Sequence, residues 1–452
     1  MNKPPKTAII IVNWDGEHLL QECLSSLFSQ TRLDFEVVLV DNGSGDGSVS
    51  FVRKKFPQVK IVELKENTGF SKGNNIGISV ALQNKNIENI ILLNNDTKVE
   101  KDFLEKLLEE LDRQQTKDIL KIGALTPKML LGFGEQNIIS NKAKYNNTSL
   151  NINNNQAIID SVGTSMGRDG RSYNIGHGEI DKGQYNKTKE VFGFCGGAVL
   201  LRREMLEDII GKKMSNNKYQ ITNAKNWQSK LKTEHRIVEV KDQIGSEKNK
   251  MIRYQEYFDD NFFAYYEDAD LSWRMQWRGW KIITAPKAVV WHLHSATADK
   301  INQQKKAEKP GVSAFKAYYL NRNRFLMMLK NFPNKMLWRG LWLVPKSYFN
   351  NNSVDRNSES SKKQGYSQGD KNSFSAGNKK DNEQNKYTLI GGSIFNQKIK
   401  NIWRKKRMVV VLAKVAGSLI VNLPRVTKQR KIIRKSRLTK KVGKIEKIME
   451  QF

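Results

Sequence analysis

Four short apolar runs in the N-terminal part of the chain each end in a cluster of Asn, Asp or Gly, and this pattern restricts the fold more than any other feature. "TAIIIVNW" leads into Asn13-Trp14-Asp15 and "FEVVLVD" into Asp41-Asn42-Gly43-Ser44. "VKIVEL" precedes Asn67-Thr68-Gly69-Phe70, and "NIILLNND" ends in Asn94-Asn95-Asp96. Unbroken apolar runs of this kind suit strands covered on both faces. The intervening segments have helical spacing: Leu19, Leu20, Cys23, Leu24, Leu27 and Phe28 share one helix face. "SKGNNIGISVAL" and "DFLEKLLEEL" supply further helices. Strand and helix therefore alternate four times, which predicts an α/β fold with a mainly parallel central sheet and right-handed crossovers.

In an open parallel sheet, ligands sit beyond the carboxyl ends of the strands. Four polar strand ends side by side make a floor of nucleotide size. Asx and Gly are also ordinary turn formers, an account that serves any one cluster better than all four. Asp41 can accept from a base N–H or a ribose hydroxyl. "GFSKGNNIG" places Asn74, Asn75 and backbone N–H groups at a helix start, which suits a diphosphate, although glycines also permit close helix packing. Asp96 is a ligand of the kind that Mg2+ or Mn2+ takes together with substrate phosphates. A further ligand is expected from His292 or His294 in "VVWHLHS", unless these are surface-loop histidines.

"YYEDADLSWR" crowds Glu267, Asp268 and Asp270 directly after an aromatic run. The helix expected here spans 268–278 and stops at Gly279. A helix N-terminus favours carboxylates by itself, but that does not account for the aromatic wall before them. Aromatic surface holds sugar rings and bases, and a carboxylate against it suits a general base.

Beyond Leu125 the alternation weakens. Residues 137–155 read as an Asn-rich loop, and 211–255 as a Lys/Asn-rich insertion. "KIIT" and "AVVWH" read as two short strands, and 315–332 as a helix. The organisation expected is a catalytic domain over 1–300, a helical extension over 301–349, a disordered linker over 350–385 and a basic amphipathic tail over 386–452. From Gln397 onward there are 18 Lys and Arg against two Glu, which accounts for about half of the net +31. Such a tail suits an anionic membrane surface or nucleic acid. No aromatic-basic sheet signature or helix-turn-helix accompanies it, so no nucleic-acid partner is expected. The Trp- and Lys-bearing segments "LWRGLWLV" and "IFNQKIKNIWRKKRMVVVLAKVAGSLIVNL" fit a membrane interface, with docking on the catalytic domain as the alternative.

The longest apolar stretch, 408–423, is short of the roughly 20 residues that span a bilayer, so no transmembrane helix is expected. The first apolar run is too short for a secretory signal. Two cysteines, Cys23 and Cys195, form no disulfide framework or zinc pattern and point to a reducing compartment.

Taken in order, "IIIVNWDG…CLSSL", "VVLVDNGSGDGS", "NTGFSKGNNIG", "ILLNNDT", "FCGGAVLLRRE", "FFAYYEDADLSWRMQWRGWKI" and "VVWHLHSAT" resemble the family 2 glycosyltransferases. The likeness is to the rhamnosyltransferase-like members of bacterial surface-polysaccharide pathways. It covers about 7–331, apart from the two insertions. The resemblance implies a GT-A fold, a Rossmann-like nucleotide-binding half fused to an acceptor half. It implies inverting, metal-assisted transfer from a nucleotide-diphosphate sugar, with rhamnosyl from dTDP-rhamnose as one donor it suggests. The acceptor would be a glycan or lipid-linked, and the location the inner, cytoplasmic face of the cell membrane. By motif, Asp41 matches the aspartate that contacts the nucleoside, and Asn74 lies in the stretch lining the nucleotide. Asn94 and Asp96 fall in the D-x-D-type element. Asp268 matches the proposed base, and His292 the histidine that completes the metal site. Gly196, Gly197 and Ala198 match the small-residue patch beside the sugar. The resemblance leaves Asp270 to cap its helix or orient Arg274, and Glu267 to contact the acceptor. The family often has an acid where this chain has Asn94, so ion affinity should lean on the substrate diphosphate. A degenerate member that binds nucleotide sugar without turnover is the competing reading.

Overall fold

The computed structural model describes residues 5–117, 121–132, 144–145, 148–149, 157–211, 236–240, 250–293, 314–349, 386–437 and 442–449, with side chains of the last long helix from Val410 onward. Each N-terminal apolar run is a strand. β1 (Thr7–Asn13), β2 (Phe35–Asp41), β3 (Lys60–Glu63) and β4 (Asn89–Leu93) alternate with α1 (Glu17–Phe28), α2 (Ser48–Lys55) and α3 (Gly69–Ala81). These strands are parallel and lie in the order β3-β2-β1-β4. The chain winds outward from β1 to β3, then crosses back to β4 on the other side. The crevice above β1 and β4 is thus the switch point at which such sheets take ligands.

The sheet then becomes mixed. β5 (Thr97–Val99) and α4 (Phe103–Lys117) lead to β6 (Ile122–Leu131). A two-residue hairpin of β7 (Lys144–Tyr145) and β8 (Thr148–Ser149) lies within the expected Asn-rich loop. β9 (Ile159–Ser161) pairs with β6, and β10 (Thr164–Met166) with β11 (Ser172–Asn174). After β12 (Glu190–Val191), β13 (Ala198–Arg202) inserts antiparallel between β4 and β6, followed by α5 (Arg203–Ile209). β14 (Arg236–Val240) and β15 (Lys250–Tyr254) form a hairpin inside the expected insertion. α6 (Glu267–Trp277) precedes β16 (Lys281–His292), which runs parallel to β6. The full order is β12-β16-β6-β13-β4-β1-β2-β3, with β5 on β16 and β9 on β6. β16 replaces the two short strands expected from the sequence. Its register slips between Ala285 and Val289, where Pro286 has no N–H to give the ladder.

Alternation along the strands builds two layers. Ile9, Ile11, Val37 and Leu39 face α1 and α4, while Ile10, Val38 and Val40 face α3. A third apolar cluster joins α6 to the C-terminal helices α7 (Ala314–Asn331), α8 (Asn334–Phe349), α9 (Lys386–Ser436) and α10 (Val442–Met449). Trp273, Trp277, Met327, Phe332, Val426 and Ile433 meet there. Within α9, Val410–Ser436 is long and apolar enough to cross a membrane by length and composition, because the helix continues through Pro424. The sequence expectation of no membrane-spanning helix was drawn from the apolar stretch 408–423 alone, which α9 extends on both sides. The expected linker over 350–385 lies outside the described residues.

Candidate active site

The floor of the switch point is a hydrogen-bonded lattice of strand ends. Parallel register sets Asn13 opposite Asp41. Asn13 Nδ2 donates to Asp41 Oδ1 (3.4 Å) and Ser44 Oγ (3.3 Å), and Asn95 Nδ2 donates to Asn13 Oδ1 (2.8 Å). The Ser44 N–H donates to Asp41 Oδ2 (3.1 Å). Asn42 accepts from the N–H and hydroxyl of Thr68, and donates to Asn67 Oδ1 and the Gly69 carbonyl. The loop before α3 is thereby fixed to β2. Asp41 is buried and its two oxygens already have donors within the chain.

α3 is more structural than its sequence suggested. A Cβ at Gly73 or Gly77 would strike Val12 (2.9 Å) or Ile10 (2.4 Å), so these glycines let α3 press on β1. Asn74 is buried and donates back to the Phe70 carbonyl (2.9 Å). Its neighbour Asn75 accepts from the N–H groups of Tyr257 and Phe258, and donates to the Phe258 carbonyl and Asp260. That side chain ties the donor half to the segment leading into α6.

Asp96 and His292 meet, as the sequence predicted. β5 and β16 pair with His292 opposite Thr97, which carries the imidazole to the carboxylate. His292 Nε2 lies 3.2 Å from Asp96 Oδ1, yet that oxygen, buried, has no partner in hydrogen-bond geometry. The other ring nitrogen, Nδ1, is 2.7 Å from Asp160 Oδ2. Burial pulls the imidazole pKa down, but the carboxylates of Asp160 and Asp96 outweigh it and raise the value to about 10. A buried carboxylate oxygen and an imidazole nitrogen facing each other fit a divalent cation that would displace the Nε2 proton and take its remaining ligands from substrate phosphates. Among the described residues no cluster of three or more His, Cys, Asp or Glu is placed to hold a metal. His294 lies outside the described residues.

The third corner is the start of α6. Phe263, Tyr265 and Tyr266 all have positive φ (62°, 70° and 71°), a conformation that strains residues with a Cβ. Asn323 on α7 braces this turn, with Nδ2 2.8 Å from the carbonyls of Phe262, Ala264 and Tyr265. The turn delivers Glu267 and Asp268 to the small-residue patch. Asp268 Oδ2 accepts from the Gly196 N–H (3.2 Å) and Oδ1 from the Ala269 N–H (2.7 Å). Gly197 continues toward the floor, its carbonyl accepting the Asn94 N–H (2.9 Å). Burial raises the Asp268 pKa, against the pull of these backbone donors. Burial and the neighbouring Asp268 raise Glu267 well above the usual carboxylate range, and Glu267 Oε2 has no hydrogen-bond partner. Asp270 points away to Arg274 (3.0 Å), Lys330 (2.8 Å) and Asn331 (2.8 Å), in keeping with a role in orienting Arg274.

Strand ends, an acid–imidazole pair and a buried carboxylate thus lie together at the carboxyl ends of the sheet, linked through the Gly196-Gly197 step. Residues 8–210 match the model of Glycosyl transferase family 2. This span, a little under half of the chain, carries the sequence signature of a family 2 glycosyltransferase domain. It includes Asp41, Asn74, Asn94, Asp96, Gly196 and Gly197, while Asp268 and His292 follow it on α6 and β16. The glycosyltransferase domain is similar to "Glycosyltransferase GlyA" of Streptococcus pneumoniae serotype 4, 29% identical over 113 residues, which is 24% of this chain and 16% of that protein. It is also similar to the poly(ribitol-phosphate) beta-glucosyltransferase of Bacillus spizizenii, 36% identical over 69 residues, 14% of this chain and 11% of that one. The chain thus matches only a minor part of these relatives' length. Among solved structures, S. aureus TarS 1–349 in complex with UDP matches with a TM-score of 0.40 and 16% identity, over 77% of this chain and 75% of that one. The glycosyltransferase domain and the mixed sheet around it are of the GT-A class.

Asp160 and Asn323 were not legible as site residues, and Asn75, read with Asn74 at a diphosphate-facing helix start, is a brace to the segment before α6. Asp160 is a lone acid in a three-residue strand after an Asn-rich loop, and only the fold shows that it reaches His292.

Proposed function

We propose that the chain is an inverting glycosyltransferase that moves a sugar from a nucleotide-diphosphate donor to a glycan or lipid-linked acceptor during cell-surface polysaccharide synthesis. The observation that carries this reading is the buried Asp96 carboxylate facing His292 Nε2 at 3.2 Å, on a strand-end floor that also borders Asp268. Asp96 and His292 would hold a divalent cation, Mg2+ or Mn2+. When bound, that ion offsets charge developing on the departing diphosphate. Asp41, Asn13 and the Asn42-braced loop would bind the nucleoside end. Asp268 takes the acceptor hydroxyl proton as that oxygen attacks the anomeric carbon on the face opposite the leaving group, which inverts configuration. Rhamnosyl from dTDP-rhamnose is the donor that the sequence resemblance favours.

The C-terminal helices support a membrane-facing enzyme. α9 turns Ser418, Asn422 and Arg425 inward, to Arg322, Asn261 and the carboxylates Glu256 and Asp259. Its outer side carries Ile420 and Val421, 73% and 79% exposed, followed by exposed Lys428, Lys431 and Lys435. On α8, Trp338 and Trp342 are also exposed. A helix that docks through a polar stripe and presents apolar and basic residues outward suits the interface of an anionic bilayer on the cytoplasmic side.

A panel of UDP-, GDP- and dTDP-sugars, incubated with Mn2+ and assayed for nucleoside diphosphate release, tests the activity. One donor should stand out, and Asp96→Ala should abolish its turnover. A folded chain that turns over none of them would overturn the reading.

A further inference from the structure

We propose that Asp160, backed by His177, is the positioning residue that fixes His292 for cation binding. The inference rests on the proposed cation site and adds a function to a residue outside it. β6 lies between β9 and β16 in the sheet, so the ends of the two outer strands flank its last residues. Leu130 pairs with Ile159 on one side, and Leu131 with His292 on the other. Asp160 is fully buried between them. Its Oδ2 is 2.7 Å from His292 Nδ1, and its Oδ1 is 3.1 Å from His177 Nδ1. His177 Nδ1 also lies 3.0 Å from the Asp160 carbonyl.

An imidazole has two nitrogens, and the partner of one decides what the other can do. A carboxylate cannot donate, so Oδ2 holds the proton on Nδ1. A cation would then displace the proton of Nε2, the nitrogen that faces Asp96. The carboxylate also limits rotation of the ring and adds electron density to it. His177, on a turn closer to the surface, occupies the second oxygen and prevents the carboxylate from swinging away. Asp96 and His292 alone supply two ligands, so the orientation of either matters more than it would in a site with four protein ligands.

The test uses the full-length chain, with Mn2+ titrated in by calorimetry in the presence of UDP and, in parallel, dTDP. Nucleotide affinity without metal and thermal stability are measured on the same variants. Asp160→Asn should weaken Mn2+ by about 10–100-fold, the usual effect of losing such an outer partner, while metal-free nucleotide affinity stays unchanged. Asp160→Glu should recover part of the loss. His177→Gln, a half-exposed position that should fold normally, should give a smaller loss in the same direction and supplies the answer if Asp160→Asn does not fold. If His292→Ala loses Mn2+ but Asp160→Asn and His177→Gln bind it like wild type, the positioning role is wrong and the cation site stands. Mn2+ binding by His292→Ala equal to wild type would remove the cation site itself, and this inference with it.

Discussion

The carboxylate of Asp268 accepts a hydrogen bond from the backbone N–H of Gly196. Through that contact the proposed base on α6 is held against the same Gly-Gly step whose next carbonyl receives the Asn94 N–H. A Cβ at Gly197 would lie 2.8 Å from the Met129 Cε, whereas one at Gly196 would make ordinary contact, 3.8 Å from the Asp268 Cβ. The Gly196 N–H and the Gly197 carbonyl thus link the proposed base to the Asn94 end of the floor. Asp268→Asn keeps the shape and loses the base. Transfer should fall by about 10²–10⁴-fold, the usual range for a general base, with nucleotide affinity unchanged. Because burial raises the Asp268 pKa, the wild-type rate should climb with pH beyond the ordinary carboxylate range before it levels. A flat profile from the ordinary carboxylate range upward would remove Asp268 as the base.

Glu267 beside it gives a stability signature. Its folded pKa is raised, so the folded chain binds the proton more tightly than the unfolded chain does. The associated stability is present below the unfolded value and is lost as pH rises through the folded one. Thermal melts of the ligand-free chain should therefore show wild type declining relative to Glu267→Gln as pH is raised above the ordinary carboxylate range. Parallel curves for the two would contradict a buried, protonated Glu267.

Asn94 stands where an acid would add charge to the cation. In wild type, Mn2+ without nucleotide should bind weakly, and much more tightly once a nucleoside diphosphate is present. Asn94→Asp should raise nucleotide-free Mn2+ affinity by about tenfold, the size of one added ligand charge of about 1.4 kcal/mol at a partly screened site. Tight Mn2+ binding by the nucleotide-free wild type would contradict the idea that the substrate completes the site.

The brace at Asn323 is open to the same kind of test. Asn323→Ala leaves three carbonyls without their shared donor, in a turn that already carries three positive-φ residues. The turn should relax, at a cost of about 1–3 kcal/mol in stability. Relaxation displaces Asp268, so kcat should fall by about 100-fold while the donor KM changes little. Equal changes in kcat and donor KM would instead place Asn323 at the donor site.

What could be read in advance divides by range of interaction. The parallel half was legible because Ile9, Ile10 and Ile11 are local, unbroken and followed at once by Asn13, so strand and site are written in adjacent residues. Asp96 was legible for the same reason. The antiparallel insertion of β13 between β4 and β6 was not, because strand order depends on contacts a hundred residues apart. Asn74 illustrates the converse limit: its motif suggested a nucleotide, but a side-chain amide in a helix can satisfy itself on the carbonyl four residues earlier. Asn75, identical in type and adjacent in sequence, projects elsewhere and carries the long-range hydrogen bonds. One helical step of about 100° separates the two outcomes.

α9 presents apolar residues on its outer side as well as its inner one, which a helix that serves only a protein core does not do. The inward stripe holds Val411, Val415, Ser418, Asn422, Arg425, Val426 and Ile433, while Ile420, Val421 and Leu423 face outward. If that outer side enters lipid, Ile420→Ser with Val421→Ser should reduce flotation with vesicles containing phosphatidylglycerol, and should leave soluble-donor hydrolysis intact. The loss should be on the order of 2–4 kcal/mol, the burial of two aliphatic side chains. Wild-type flotation should weaken as salt is raised, since Lys428, Lys431 and Lys435 add attraction that ions screen. Ser418→Ala with Asn422→Ala, on the docked side, should float normally and instead loosen the helix from Arg322 and Asn261, detectable as faster hydrogen exchange over 260–266. Equal flotation of the outer-side double variant and wild type at every salt concentration would exclude the lipid-facing surface.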